Sequence, residues 1–261
     1  MIHYAKIGNT EGPALMLVHG FPNDGNAWHT IAPVLATKFN LIIPDLPAAG
    51  NSEVPAGQLT MQMMAEALYH ILEQEQLDKV VMAGHSMGGY AAMEFASRYP
   101  ERLKGISLVH SLASADTEEK KEQRRKSVAL MQKGKAELQM FLRGMSQNLF
   151  AEKFAREHPE ALREVVENGM RQGASRLAAL YTAIMNRQDH TGLLSQLTMP
   201  VQWIIGEEDN ATPMRDALSQ CSRSAISKVS VYNSCGHMSF VEMPERLISD
   251  LVEFVAFCSN R

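Results

Sequence analysis

Apolar residues in this chain fall into short unbroken runs, and between the runs they recur at helical spacing. Ala14–Val18, Leu41–Ile43, Val80–Ala83, Leu103–Val109 and Val201–Ile205 are continuous or nearly so. Such runs suit strands covered on both faces, as in a parallel sheet. Ile2–Ile7 reads as a first strand and Lys228–Tyr232 as a last one. A helix from about Asn26 carries Trp28, Ile31, Val34 and Leu35 on one side. Thr60 serves as N-cap of a second, through about Glu75, with Met64, Leu68, Ile71 and Leu72 on its apolar face. Ala91, Ala92, Phe95 and Ala96 mark a third, and Pro244–Phe257 closes the chain. Strand–helix alternation of this kind predicts an α/β protein, a mostly parallel sheet with helices on both faces.

The alternation breaks between Leu112 and Thr191. No strand pattern appears there, and helices are expected near Asp116–Lys133, Lys135–Phe150, Pro159–Gln172 and Ser175–Arg187. This stretch carries 14 Lys/Arg against 11 Asp/Glu, whereas the rest of the chain is acidic. The expected organisation is therefore a core of residues 1–111 and 192–261 with a helical cap or lid, 112–191, over its site. Within the cap, Lys120-Lys121…Arg124-Arg125-Lys126 is interleaved with Glu118, Glu119 and Glu122. That reads first as a solvated helix face with i,i+4 pairs; recognition of an anionic substrate is the lesser alternative.

Composition narrows the class. Hydrophobic residues at 45% and charged residues at 21% are ordinary for a globular protein, and a net charge of −4 argues against a nucleic-acid partner. The three cysteines, Cys221, Cys235 and Cys258, are too few for a disulfide framework and point to a reducing compartment. Neither a signal peptide nor a run of the ~18 apolar residues that spans a bilayer is evident. A cytoplasmic location follows as the expectation.

The chemistry centres on Gly84-His85-Ser86-Met87-Gly88-Gly89, between an apolar strand and a helix. A serine lifted out on such a turn needs small neighbours two residues away, and Gly84 and Gly88 supply them. The helix that follows aims N–H groups and its positive end at charge developing near Ser86. A serine hydroxyl needs a base, and the base needs an orienting acid. Among nine histidines, His85 adjoins Ser86 but should project elsewhere, and His19 suits bracing of the backbone. His237 follows the last strand at the carboxyl edge of the sheet, where Ser86 must also lie, and is the expected base. Asp209, on the turn after Val201–Ile205, is the expected acid, with Glu207 and Glu208 as adjacent competitors. Oxyanion donors are expected from the backbone N–H groups of Met87 and Phe21. Phe21, Trp28, Met87 and Met238 adjoin the site in sequence. With the cap residues Phe141, Phe150 and Tyr181 they are candidates for an apolar acyl pocket. Neither His-Glu-x-x-His nor Cys-x-x-Cys occurs, so neither a metal nor any other cofactor is expected.

These pieces resemble the α/β-hydrolases, in the branch of small cap-bearing bacterial serine esterases and lactonases typified by 3-oxoadipate enol-lactonases and pimeloyl-ester esterases. The matching segments are His19-Gly20-Phe21-Pro22 with Trp28, Pro44-Asp45-Leu46…Gly50-Asn51-Ser52, the Ser86 turn, Tyr99-Pro100-Glu101-Arg102, Gly206…Asp209…Pro213 and Gly236-His237. The resemblance implies about seven strands, because the family's longer N-terminal hairpin is absent. It also implies hydrolysis of a small ester or lactone through an acyl-enzyme on Ser86. The same residues would serve a cofactor-free perhydrolase or haloperoxidase, and a ligand-binding protein on this fold is the non-enzymatic alternative. Ser86 stands where dehalogenases and epoxide hydrolases of the fold carry aspartate. The family's common Gly-x-Gly-x-Ser reads Ala48-Ala49-Gly50-Asn51-Ser52 here. The substrate's identity and the oligomeric state are not encoded in any of these segments.

Overall fold

In a computed structural model, which describes residues 1–261, the apolar runs form strands β1 (Tyr4–Gly8), β2 (Ala14–Val18), β3 (Asn40–Pro44), β4 (Val80–His85), β5 (Leu103–Val109), β6 (Val201–Gly206) and β7 (Ser227–Tyr232). They make one seven-stranded sheet in the order β1-β3-β2-β4-β5-β6-β7. Only β1 is antiparallel, pairing Tyr4 with Pro44 at the edge of the sheet. The expected α/β class and strand number are what the chain adopts.

The continuous apolar character of the inner strands has a simple cause. Met16, Val18, Met82 and Leu108 bury on one face with a large cluster, and Leu15, Leu17, Val81 and Val109 bury on the other. Successive side chains point to opposite faces, so a strand covered on both sides has no polar position to spare.

The helices are α1 (Ala32–Ala36), α2 (Met61–Gln74), α3 (Met87–Arg98), α4 (Glu118–Met131), α5 (Lys135–Gln147), α6 (Glu152–Glu157), α7 (Pro159–Gln172), α8 (Ala174–Met185), α9 (Met214–Cys221), α10 (Ser239–Glu242) and α11 (Pro244–Ser259). Thr60 caps α2 as expected, its side chain accepting from Met63 N–H at 3.2 Å. The helix expected from Asn26 is split. Gly25–Trp28 forms a single 3-10 turn, and α1 begins afresh with a proline in its first turn. Pro33 has no N–H to donate back to the preceding turn, which suits a helix start and not a helix interior. Helices α2, α3 and α9 cover one face of the sheet, α1 and α11 the other.

Five helices, α4–α8, and no strand occupy residues 112–191, between the neighbouring strands β5 and β6. Thr117 caps the first of them through its side chain, at 3.2 Å from Lys120 N–H. No helix of the chain is long and apolar enough to cross a membrane.

Candidate active site

The β4–α3 turn is sterically closed. A Cβ on Gly84 would lie 2.4 Å from the Gly88 carbonyl oxygen, and one on Gly88 would lie 2.3 Å from that of Val18. Ser86, between them, is held at φ 50° and ψ −113°, a conformation that L-residues seldom adopt. Ser111 Oγ donates to the Ser86 carbonyl at 2.8 Å, and Ser86 N–H donates to Val109 O at 3.0 Å. Met87 opens α3, so its N–H belongs to the first turn, whose donors have no partner within the helix.

Across the carboxyl edge, the turn after β6 presents three carboxylates in a row with different fates. Glu207 is exposed and accepts from Ser234 N–H at 3.0 Å; Glu208 accepts from Glu152 N–H at 3.0 Å. Asp209 alone is buried. Its Oδ1 accepts from the N–H groups of Ala211 (2.9 Å) and Thr212 (2.8 Å). Its Oδ2 accepts from Thr212 Oγ1 (2.6 Å), His110 Nδ1 (3.1 Å) and His237 Nδ1 (2.8 Å). Burial would raise the carboxyl's pKa. The His237 charge, with the His110 and His237 N–H groups, outweighs burial and holds it well below the usual carboxylate range.

His237 is itself buried and held by its backbone. Its N–H donates to Leu149 O at 2.7 Å, and its carbonyl accepts from His85 Nε2 at 2.9 Å. Glu242 accepts from the N–H groups on either side, Gly236 at 2.9 Å and Met238 at 3.0 Å. Ser86 and His237 line one cavity of about 90 Å³ with Phe21, Tyr90, Arg124 and Tyr181. No hydrogen bond joins the two side chains in this geometry; such contacts commonly tighten only around substrate.

His19 is neutral, with burial lowering its pKa. Its Nδ1–H donates to Gly20 O at 3.0 Å, and Nε2 accepts from Leu46 N–H at 2.9 Å. That one tautomer ties the Phe21 loop to the Asp45–Ser52 loop. Ala48, where the family pattern has glycine, adopts φ 67° and is fully buried. The loop keeps its left-handed turn at a cost of about 1–2 kcal/mol.

The pocket candidates divide. Phe21 and Tyr181 line the cavity, with ring centroids 4.8 Å apart. Phe141 packs behind them, 6.4 Å from Phe21 and 5.5 Å from Tyr181. Trp28, Met238 and Phe150 do not reach it. Trp28 is fully buried against Phe240 at 5.1 Å, Met238 lies in the same core cluster, and Phe150 stacks on Phe154 at 5.6 Å. Trp28 and Met238 adjoin site residues in sequence but turn into the core on the other side of the sheet.

His110 and Glu242 belong to the site and were not singled out from sequence; Arg124, which lines the cavity, was read only within a basic block for which anionic-substrate recognition was the lesser alternative. His110 directly follows β5 at the same sheet edge as Ser86, which was the available signal. The ligand-capable atoms of His110, Asp209 and His237 lie within 4.8 Å of one another. Both Nδ1 atoms are already spent on Asp209, so the group is a carboxylate ringed by donors.

Three neutral imidazoles are buried here. Burial lowers the pKa of His19, His110 and, most strongly, His85, where the charges of His237 and His110 add to it. Below about 6.5 the unfolded chain therefore binds more protons than the folded one, and stability falls as pH drops from there. Thermal melts from pH 8 to 5 should show the midpoint falling below about pH 6.5, and His110→Gln should flatten the slope. A midpoint independent of pH over that range contradicts this account.

Residues 13–244 match the family model described as alpha/beta hydrolase fold. A pimeloyl-[acyl-carrier protein] methyl ester esterase of Aeromonas hydrophila is 27% identical over 255 residues, covering 94% of this chain and 96% of that protein. The malate-bound structure of a thermophilic esterase from Thermogutta terrifontis superposes with a TM-score of 0.91 at 30% identity, over 98% of this chain and 93% of the other. The enol-lactonase of Burkholderia xenovorans LB400 shares the fold, with a TM-score of 0.88 at 19% identity over 98% of this chain and 96% of that one.

Proposed function

We propose a serine-hydrolase reaction on a small carboxylic ester or lactone for this chain, which belongs to the α/β-hydrolase fold family. The observation that carries the reading is Ser86, strained at the start of α3, sharing a cavity with His237, whose Nδ1 lies 2.8 Å from the buried Asp209. In this reading Ser86 Oγ attacks the carbonyl carbon while His237 Nε2 takes its proton. Asp209 fixes the tautomer and stabilises the imidazolium. The N–H groups of Met87 and Phe21 receive the oxyanion. His237 then protonates the leaving alkoxide. Water, deprotonated by the same ring, releases the acid and restores the serine. A fluorophosphonate should label wild type and leave Ser86→Ala unlabelled; equal labelling removes the assignment.

Residues 112–191 act in this reading as the cap over the cavity, and Tyr181 and Phe141 as its selectivity residues. Tyr181→Ala and Phe141→Ala should reorder a series of ester chain lengths. Phe150→Ala should instead cost about 3–5 kcal/mol of stability, as for other buried aromatics. An unchanged chain-length ranking in both variants would remove the cap from the pocket.

A further inference from the structure

One member of the Lys120–Lys126 block reaches the site. Arg124, on α4, contributes to the cavity that holds Ser86 and His237. Its neighbours stay out: Lys121 pairs with Glu118 and Arg125 with Glu122 on the open face, each at 2.8 Å. Arg124 Nε donates to Asp116 Oδ2 at 2.5 Å, and its Cζ lies 4.7 Å over the Tyr181 ring. Arg187 holds the other oxygen of Asp116 at 2.8 Å and stacks 4.0 Å over Tyr90.

Within this cluster the charges do not cancel. Two guanidinium groups share the single buried carboxylate of Asp116, which leaves one positive charge against a wall of Phe21, Tyr90, Met145 and Leu149. The other buried carboxylates nearby have their own partners, Glu94 with Arg98 at 2.7 Å and His190 at 2.9 Å, and Asp209 with His237 at 2.8 Å and His110 at 3.1 Å. Arg124 commits Nε to Asp116, and its guanidinium otherwise faces the Tyr181 side chain and the cavity, which leaves Nη donors for a ligand. A partly desolvated cation without a full set of acceptors is costly, and a site for neutral esters has no use for it. A planar fork with one net charge, set in a small apolar cavity, matches a carboxylate.

We propose that Arg124 makes this cavity selective for short esters or lactones that carry a free carboxylate, which its Nη groups receive. The substrate class rests on the serine-hydrolase reading of the same cavity. The carboxylate subsite itself does not need turnover. The cavity of about 90 Å³ leaves room for only a short chain between the carboxylate and the carbonyl that Ser86 attacks.

The test compares monomethyl glutarate with dimethyl glutarate as substrates, and measures glutarate binding by calorimetry. Wild type should prefer the monoester. Arg124→Gln should reduce the monoester/diester ratio of kcat/KM at least about tenfold, chiefly through KM, and weaken glutarate binding similarly, which is about 1.4 kcal/mol. Arg124→Lys keeps the charge without the fork and should retain part of the preference. Asp116 keeps Arg187 as a partner in both variants. Equal glutarate binding by wild type and Arg124→Gln, or none by wild type up to about 10 mM, overturns the subsite whatever Ser86 does. Turnover surviving in Ser86→Ala would instead overturn the serine reading and leave the binding comparison standing.

Discussion

Ser86→Ala is expected to lose about 10⁴–10⁶-fold in kcat, the scale of nucleophile deletions in other serine hydrolases. The residual rate would come from oxyanion donors and binding alone. The loss is a chemical one. The Ser86 hydroxyl faces the cavity and is not among the buried polar atoms left without a partner, so alanine orphans no group in the core. The strained backbone is set by Gly84, Gly88 and the Ser111 contact, none of which the substitution touches. Thermal midpoint and circular dichroism should therefore match wild type, while ester turnover and fluorophosphonate labelling disappear. Activity within tenfold of wild type in the purified variant would move the nucleophile elsewhere.

Asp209→Asn is expected to cost about 10⁴ in kcat through the tautomer of His237. The two backbone N–H groups at Oδ1 are fixed at 2.9 and 2.8 Å, so the amide oxygen of asparagine must stay on that side. Its NH₂ then faces His237 Nδ1, His110 Nδ1 and Thr212 Oγ1, where the carboxylate had accepted from all three. Donor meets donor, and His237 can answer only by moving its proton to Nε2, the atom that accepts from Ser86 in the proposed reaction. Buried donors left without acceptors should cost a further 1–3 kcal/mol or so of stability. Glu207→Gln and Glu208→Gln should stay near wild type, because each of those carboxylates meets one backbone N–H at the rim. Turnover and melting of the three variants, measured side by side, decide the acid. A large loss at Glu207 or Glu208 with little at Asp209 would reassign it.

The sheet was legible because burial on both faces leaves an unbroken apolar run, as in Leu15–Val18, and the first turn of α2 was legible because Thr60 caps it through its side chain. The Ser86 turn was legible because only glycine fits at 84 and 88. The split helix near Asn26 was missed by weighing the spacing of Trp28 and Ile31 above Pro33. Short α6 and α10 carry too few residues to show a period. Arg124 was hidden by its own neighbours. In a block of basic residues, spacing cannot say which one turns inward. That depends on Asp116 and on Arg187, which reaches Asp116 from beyond α8. Glu242 was hidden in the same way, since its work is done on the backbone of Gly236 and Met238.

Strands β5 and β6 are paired neighbours, from Ile106↔Val201 to Val109↔Ile204. To the sheet, residues 112–191 are thus one long connection with its ends pinned a strand apart. Doubling such a connection costs only about 0.6 kcal/mol of closure entropy, so a roof of another length could be grafted there without shifting any strand register. The exceptions are two seams. In one, Gln172 Oε1 accepts from Gly50 N–H at 3.0 Å and Arg176 donates to the carbonyls of Gly50 and Ser52 at 2.9 and 3.1 Å. The other lies at the His237 loop. Leu149 O accepts from His237 N–H at 2.7 Å, Ala151 N–H donates to Glu242 at 2.9 Å, and Glu152 N–H donates to Glu208 at 3.0 Å. A chimera that keeps residues 149–152 and replaces the rest of the roof inherits the His237 loop intact beneath new walls. A graft that respects both seams would replace the walls of the Ser86 cavity while the strand register and the His237 loop beneath stay as they are.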